Sequence, residues 1–394
     1  VIPGVMDAGG RVDESRLRMH IFKNGVSPSD RGLVWRFLFG MYPCGSTALE
    51  RSLLQEQLFV RYRVMKRKWQ SFLPSAKKIS LNGTDELIKA VRYFEEREAQ
   101  AQQESQVQSE EVQERLSFLE LQAQFLFGAV SFHREELQEA IRIIDKDVPR
   151  TNRDLSYYRN EGLGNLLVLR DILITYAAFH PVSYAQGMND LCSRFLEVLD
   201  CEVDTFWSFS CYMEKFSKDF QADGLHRKIE LEAALLKELD PPLYAHLTKD
   251  NMESFTFCHW LLLGFQREFE HSDALRLFEI LSCDHLELIS QQVDRARYED
   301  SPESELQTFN TDFTFELFVC AAILLDNRES LLQCRDDVQL IQFTSLHGKL
   351  DLNSTLQKAE RHFYNYCKSC SWDYMNGRCR ANTNTQEDFI DHLR

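Results

Sequence analysis

The sequence is poor in the two residues that interrupt helices. Its 394 residues contain only 16 glycines and 9 prolines, about half the share of an average protein. By contrast it contains 28 phenylalanines, and 44% of its residues are hydrophobic. So few breaks and so much apolar material predict long helices around a large core, and they exclude collagen-like, low-complexity and wholly disordered chains.

The sequence also lacks a long apolar run. The longest strongly apolar stretch covers residues 318–325, whereas a transmembrane helix needs about 20 apolar residues. Residues 1–15 show no basic start followed by an apolar block, which a signal peptide would have. The sequence therefore predicts a soluble chain without a visible targeting signal.

Positive charge is in deficit. The chain has 45 Lys and Arg against 61 Asp and Glu, a net charge of −16, which argues against unaided binding of nucleic acid or of an anionic membrane. One basic cluster stands out in the segment 50–73, and it consists of Arg61, Arg63, Lys66, Arg67 and Lys68. This cluster is either a solvated helix face or a docking surface for an acidic partner.

Cysteines show no pairing pattern. Their number is 11, which is odd, and several lie in apolar helical patterns, namely Cys192, Cys211, Cys258 and Cys320. Free thiols packed as small hydrophobic side chains are typical of a reducing cytosol. Cys367, Cys370 and Cys379 fall short of the four ligands of a structural zinc site, so ordinary thiols are favoured over zinc and no metal site is predicted.

Helical periodicity runs through most of the chain. In the segment 50–73 one face carries Leu54, Leu58, Tyr62, Met65, Trp69 and Phe72. Further helices are predicted at 163–179, 188–199, 205–220, 225–239, 255–269, 272–282, 313–332 and 352–366. No strand-like alternation persists and no period repeats. The predicted fold is all-α, with two helical halves that meet near residue 200.

Two segments break this pattern. Residues 93–115 are rich in Gln, Glu and Ser with almost no apolar residue in their second half, which is typical of a mobile insertion or an exposed helix. Residues 294–311 form a second, acidic insertion. Both are expected to lie outside the core.

Two polar side chains follow apolar helices that a proline ends. The residue before a proline is pushed out of the helical region, so the helices before Pro149 and Pro181 are predicted to stop there. Arg150 and Gln186 then lie in the loops that follow. A guanidinium and a neutral amide suit a phosphoryl-transfer transition state, because the cation balances spreading negative charge and the amide orients the attacking water.

Simpler interpretations of both residues remain open. Arg150 could form an ordinary surface ion pair with Asp147 or Asp154, as most exposed arginines do. Gln186 lies three residues after Ser183, so its amide could merely complete a capping box at a helix start.

Three motifs occur in a fixed order along the chain. Residues 31–35 read R-G-L-V-W, residues 144–151 read I-D-K-D-V-P-R-T, and residues 184–187 read Y-A-Q-G. Together they resemble the TBC domain of Rab GTPase-activating proteins, and the resemblance covers about residues 16–366.

The resemblance implies an all-α, two-lobed TBC domain. Its N-terminal lobe would span about 16–200 and its C-terminal lobe about 201–366, and residues 367–394 would form a C-terminal tail. The span from Trp35 to Asp147 is longer than usual for the family, and the surplus is the segment 93–115. That segment would be either an inert tether or a regulatory flap over the partner groove.

The resemblance also assigns roles to individual residues. Arg150 would be the arginine finger that neutralises charge on the γ-phosphoryl group, and Gln186 would be the glutamine finger that orients the attacking water. Asp147 would hold Arg150. The remaining supporting residues would be Thr151 and Tyr184, which shape the two loops, Gly187, then Asn189 and Asp190, which orient the glutamine loop or only cap a helix, and Arg31 and Trp35, which support the lobe.

The partner implied by the resemblance is a Rab GTPase loaded with GTP and Mg2+. The chain would have no cofactor of its own and would not be an enzyme by itself, since it would supply catalytic residues in trans and so regulate vesicle traffic. Its location would be cytoplasmic, at endomembranes to which the lipid-anchored GTPase recruits it, with no direct membrane contact. The alternative is an idle scaffold that binds Rab or trafficking proteins without stimulating hydrolysis.

Overall fold

The computed structural model shows a helical protein. It describes residues 4–77, 85–105, 109–180, 184–220, 222–249, 265, 268–284, 286, 312–336, 338–340, 342 and 349–370. Within these ranges every regular element is a helix, apart from one isolated bridge between Met6 and Val12. The all-α prediction is confirmed.

Fifteen α-helices have described bounds, and residues 338–340 and 342 are helical as well. Up to residue 220 they are α1 (Glu14–Asn24), α2 (Pro28–Leu38), α3 (Ala48–Phe72), α4 (Asp85–Ser105), α5 (Glu110–Gly128), α6 (Arg134–Asp147), α7 (Gly164–Phe179), α8 (Met188–Leu199) and α9 (Glu202–Phe216). After residue 220 they are α10 (Ala222–Leu239), α11 (Pro241–Leu247), α12 (His271–Ser282), α13 (Phe315–Asp326), α14 (Arg328–Gln333) and α15 (Leu352–Cys370).

Contacts divide the chain into two compact units. The first comprises Val1–Leu17 and Val26–Phe220, and the second comprises Arg18–Gly25 and Gln221–Arg394. The first unit extends to Phe220, whereas the sequence places the lobe boundary near residue 200. The reason is that α8 and α9 pack on each other and on α7, so both belong to the first unit.

The start of α3 is fixed by a capping box. The Thr47 hydroxyl accepts a hydrogen bond from the Glu50 backbone N–H at 3.2 Å, and the Glu50 carboxylate accepts one from the Thr47 N–H at 2.8 Å. These bonds satisfy donors that a helix start otherwise leaves unpaired. The helix begins at Ala48 and ends at Phe72, close to the predicted 50–73.

Helix α7 forms the centre of the first unit. It packs against α3, α6, α8 and α9, and the buried Trp69 indole of α3 donates to the Thr175 hydroxyl of α7 at 2.8 Å. Among the described residues, Asn160–Phe179 is the one helical segment long and apolar enough to cross a membrane by length and composition. Since 61% of its most apolar window is buried inside the protein, the core accounts for this apolar composition.

An aromatic cluster fixes α2 on α8. Pro28 occupies the first turn of α2, where its missing N–H costs nothing. The Trp35 ring is fully buried and meets the rings of Phe39 and Phe195 edge-on, at centroid distances of 5.2 and 5.3 Å. Such aromatic pairs contribute about 0.5–1.5 kcal/mol each beyond their burial.

Residues of the predicted insertion form two exposed helices. The segment 93–115 falls in α4 and α5, apart from residues 106–108, which lie outside the described ranges, and Ser109, which directly precedes α5. Ala123 of α5 packs against Val60 and Val64 of α3, and an Arg115–Glu56 ion pair at 2.8 Å joins the same two helices. The described part of the insertion is therefore helical, as one of the two interpretations of its composition predicts.

Lys66 of α3 lies in a buried ion cluster. Its side chain is 12% exposed, and Nζ lies 3.0 Å from Asp171 Oδ2 and 2.8 Å from Glu202 Oε1. Burial lowers the pKa of Lys66, but the two carboxylates raise it more, so its net pKa lies above the ordinary value. The solvated face predicted for the basic cluster is thus wrong for Lys66, whereas its neighbour Arg67 is exposed.

The second unit is built on α13. This helix is buried along most of its length and packs against α15, with the rings of Phe318 and Phe363 meeting edge-on at 5.3 Å. The single helix predicted over 313–332 is wrong. The helix is interrupted at Asn327, which separates α13 from α14. There the Asn327 side-chain amide donates to the Ile323 carbonyl at 2.8 Å and competes with the helical backbone.

Some predictions fall outside the described residues. These are the acidic insertion at 294–311, the tail beyond residue 370 with Cys379, and most of the helix predicted at 255–269. They stay predictions.

Glu232 in α10 is completely buried, and no nitrogen or oxygen of the described residues forms a hydrogen bond with its carboxyl group. Burial raises its pKa well above the ordinary value, although the neighbouring Cys320 thiol acts in the opposite direction. As pH rises above about 4.3, the unfolded chain releases this proton while the folded chain retains it. Glu232 therefore lowers the free energy of unfolding progressively as pH rises, until pH reaches the folded pKa.

We expect Glu232→Gln to raise the melting temperature at pH 8 and to change it little at pH 4, because the amide cannot ionise. Thermal unfolding followed by circular dichroism at both pH values measures this. Glu230→Gln, an exposed site on the same helix, is the matched control and should leave both values unchanged. An equal effect of Glu232→Gln at the two pH values would contradict the prediction.

Candidate functional site

Arg150 lies at the end of a short turn that continues α6. The helix ends at Asp147, and a 3-10 turn follows over Val148–Arg150. Val148 keeps helical dihedral angles of −57° and −48° despite the proline after it, so the loop predicted for Arg150 is a turn instead. The chain becomes extended only at Thr151.

The Arg150 guanidinium is held along one edge and is otherwise open to solvent. It is 72% exposed, and one terminal nitrogen donates to Asp147 Oδ1 at 2.9 Å. Its Nε donates to the Lys146 carbonyl at 3.1 Å. The predicted ion pair thus forms with Asp147, and it leaves most of the guanidinium available to a partner.

The Asp147 carboxylate joins the two predicted loops. Its side chain is only 8% exposed, and its second oxygen, Oδ2, accepts a hydrogen bond from the Tyr184 hydroxyl at 2.9 Å. Burial and the nearby Asp147 raise the pKa of Tyr184 far above its ordinary value, so the phenol stays protonated and donates. One buried carboxylate therefore holds Arg150 on one side and the segment leading to Gln186 on the other.

Thr151 and Asn189 form a second connection. The buried Thr151 hydroxyl donates to the Asp147 carbonyl at 2.8 Å, and it accepts a bond from the Asn189 side-chain amide at 2.9 Å. Asn189 lies in the first turn of α8. Thr151, which follows Arg150, is thereby attached to α8, the helix that follows Gln186.

Gln186 is exposed in the turn before α8. Among the described residues its side chain has no hydrogen-bond partner, and Ser183, which a capping box would need, lies outside them. Gly187 follows with φ of +99°, which favours glycine over any other residue. A Cβ there would lie 3.7 Å from the Phe220 ring, an ordinary contact, so the backbone conformation alone requires glycine.

The other predicted residues lie around this arrangement. Asp190 is half-buried in α8, and its carbonyl accepts a bond from the Ser193 hydroxyl at 2.6 Å. Arg31 is half-buried in α2. Trp35 contacts Phe195 of α8, so it supports the same helix that carries Asn189 and does not itself belong to the exposed site.

Sequence reasoning missed one connection in this region. The Asn152 side-chain amide donates to the Ser193 hydroxyl oxygen at 2.6 Å, and the Tyr158 hydroxyl donates to the Ser193 carbonyl at 2.6 Å. Asn152 has φ of +45°, a conformation that asparagine tolerates better than most residues. The sequence signal that could have indicated a turn here was the asparagine directly after Arg150 and Thr151.

Comparison with known proteins agrees with these motifs. A family model of the Rab-GTPase-TBC domain matches residues 29–293, a range that contains all three motifs. The chain belongs to this family. The arginine and glutamine segments that Asp147 joins are thus part of a TBC domain.

Several curated proteins are similar to this TBC domain. GTPase-activating protein gyp7 of Schizosaccharomyces pombe is 27% identical over 397 residues, which is 96% of this chain and 42% of the relative. Human TBC1 domain family member 17 is 32% identical over 280 residues, which is 69% of this chain and 34% of the relative. The chain thus spans less than half the length of these relatives.

A solved structure has the same fold. The crystal structure of the Ypt/Rab-GAP domain of Gyp1p superposes with a TM-score of 0.58 at 18% identity, over 92% of this chain and 95% of that one. This similarity confirms the helical TBC fold.

Proposed function

We propose that this TBC domain accelerates GTP hydrolysis by a Rab GTPase, with Arg150 as the arginine finger and Gln186 as the glutamine finger. The observation that carries the proposal is the position of Asp147, whose two carboxyl oxygens accept from Arg150 and from Tyr184. Asp147 thus supports both Arg150 and the segment that carries Gln186. The name of the relative gyp7 as a GTPase-activating protein supports the same activity.

Arg150 would act by electrostatics. Negative charge spreads over the γ-phosphoryl oxygens in the transition state, and a guanidinium can donate two hydrogen bonds to them. Because Asp147 holds one edge of the guanidinium, the charged group would enter the partner's site with little loss of conformational entropy.

Gln186 would act on the attacking water. A neutral amide can accept a hydrogen bond from water and donate another to a phosphoryl oxygen, which aligns the nucleophile without forming a covalent intermediate. The exposed turn before α8 suits this role, since the Gln186 side chain has no partner among the described residues. GTP and Mg2+ would be supplied by the partner GTPase.

The proposal includes a location. Eight cysteines in the described part of the chain are free thiols, which supports a reducing cytoplasm. Recruitment to endomembranes would follow from the lipid-anchored GTPase, and the activity would regulate vesicle traffic there.

We expect Gln186→Ala to slow stimulated hydrolysis by about 10²-fold or more, because one positioning group for the water is lost. Single-turnover hydrolysis of GTP by a panel of purified Rab proteins, with and without the domain, measures this. Gln124→Ala, an exposed glutamine on α5, is the matched control and should retain full activity.

The same assay tests the idle-scaffold alternative. If GTP-loaded Rab proteins bind the wild-type domain but none is accelerated, the domain is a scaffold. If one Rab is accelerated and Gln186→Ala is as active as wild type, the glutamine assignment is wrong although the activity stands.

A further inference from the structure

Asn152 is held in an unfavourable backbone conformation two residues after Arg150. Its φ of +45° places it in the left-handed region, which costs a non-glycine residue roughly 1 kcal/mol. The one side-chain hydrogen bond at this residue runs from its Nδ2 to Ser193 Oγ at 2.6 Å. This bond therefore helps to determine the direction in which the chain leaves the Arg150 turn.

The Ser193 hydroxyl is a fixed acceptor. It is completely buried, and its own proton is donated to the Asp190 carbonyl at 2.6 Å. Since a hydroxyl has one proton and two lone pairs, Asn152 must donate and Ser193 must accept. The Ser193 carbonyl is bonded in turn by the buried Tyr158 hydroxyl at 2.6 Å, so the acceptor is restrained on both sides.

Two successive residues of the arginine segment are thus attached to one face of α8. Thr151 bonds Asn189 at 2.9 Å, and Asn152 bonds Ser193 at 2.6 Å. Asn189 and Ser193 are four residues apart, which places them on the same side of a helix. A single attachment permits rotation of the segment about that point, whereas two attachments one turn apart oppose it.

We propose that Asn152 and Ser193 are positioning residues that fix the orientation of the Arg150 turn relative to α8, and so relative to Gln186 at its start. This inference rests on the proposed function. The Asn152–Ser193 bond would set the angle at which Arg150 approaches the phosphoryl group, while the Asp147–Tyr184 bond sets the spacing of the two segments. Neither Asn152 nor Ser193 would touch the GTPase.

The test uses Asn152→Gly, which keeps the left-handed backbone without strain and removes the side chain that donates to Ser193. We expect the maximal single-turnover rate at saturating domain to fall about 10-fold to 100-fold, since small misplacement of a reacting group has effects of that size. The domain concentration for half-maximal rate and the melting temperature should stay unchanged. Ser193→Ala should give the same loss, and the double variant should be no slower than either single one.

Combining Asn152→Gly with Arg150→Ala distinguishes a positioning role of Asn152 from a general effect on the stability of the domain. In Arg150→Ala, Asn152→Gly should cause no further loss of rate, because no finger remains to be positioned. The matched control is Asn160→Gly, which removes an exposed asparagine that is also left-handed, with φ of +53°, and it should be as fast as wild type.

Distinct results overturn the inference and the proposed function. A wild-type rate for Asn152→Gly, or a further loss in the Arg150→Ala background, overturns the positioning role while the GTPase-activating function stands. Wild-type domain that accelerates no Rab of the panel overturns the proposed function and this inference with it.

Discussion

Replacing Arg150 by alanine is expected to slow stimulated GTP hydrolysis by about 10³-fold or more, the range that an arginine finger contributes. The melting temperature should change little, because the Arg150 side chain is 72% exposed. An ion pair at such an exposed site contributes about 0–1 kcal/mol. Asp147 would retain its bond from Tyr184. The loss would therefore fall on the rate and leave the fold intact.

Arg150→Lys tests whether the shape of the guanidinium matters in addition to its charge. Arg150→Lys keeps the charge but loses the planar pair of donors, so its rate should lie between those of wild type and Arg150→Ala. Arg153→Ala is the matched control, because Arg153 is exposed and donates only to the Pro149 carbonyl, at 2.9 Å. Equal rates for Arg150→Ala and Arg153→Ala in the presence of an accelerated Rab would refute the arginine assignment.

Replacing Lys66 by methionine is expected to lower the free energy of unfolding by about 3–5 kcal/mol, since removal of one partner leaves buried charge uncompensated. Asp171 and Glu202 lie 3.0 and 2.8 Å from Lys66 Nζ, and methionine offers them no donor. Urea denaturation followed by circular dichroism measures the change.

The adjacent residue provides the control for Lys66. Arg67 forms an exposed pair with Glu120 at 2.9 Å, and Arg67→Met should cost no more than about 1 kcal/mol. The triple variant Lys66→Met, Asp171→Asn, Glu202→Gln should recover much of the loss, because the two close carboxylates are then neutral and Glu98, 3.6 Å from Nζ, is half-exposed to solvent. Similar costs for Lys66→Met and Arg67→Met would show that the buried cluster adds nothing to stability.

Local sequence signals predicted the elements that depend on neighbouring residues. The apolar face of the segment 50–73 predicted α3 to within two residues at its start. The prolines placed Arg150 just after α6 and Gln186 between α7 and α8, although a 3-10 turn and not a loop carries Arg150, and the Asp147 pairing lies three residues from Arg150. Each of these signals acts within one or two turns of the chain.

Features that depend on distant residues could not be predicted. Periodicity assigned Lys66 to a polar face together with Arg67, but its partner Glu202 lies 136 residues further along the chain. The Asn152–Ser193 bond spans 41 residues, and no local pattern relates the two. The break at Asn327 was missed because Leu331 and Leu332 follow Leu324 and Leu325 at a spacing of seven residues, which a continuous helix would also give.

The carboxylate of Asp147 serves two segments, and this has a consequence for how the sequence can change over evolutionary time. Any substitution at position 147 disturbs the support of Arg150 and the Tyr184 bond in the same step. Loss of Tyr184 would leave the buried Asp147 Oδ2 without its hydrogen-bond donor. A carboxylate at position 147 would then be disfavoured as well. Among descendants of this sequence, positions 147 and 184 should therefore be replaced together or not at all.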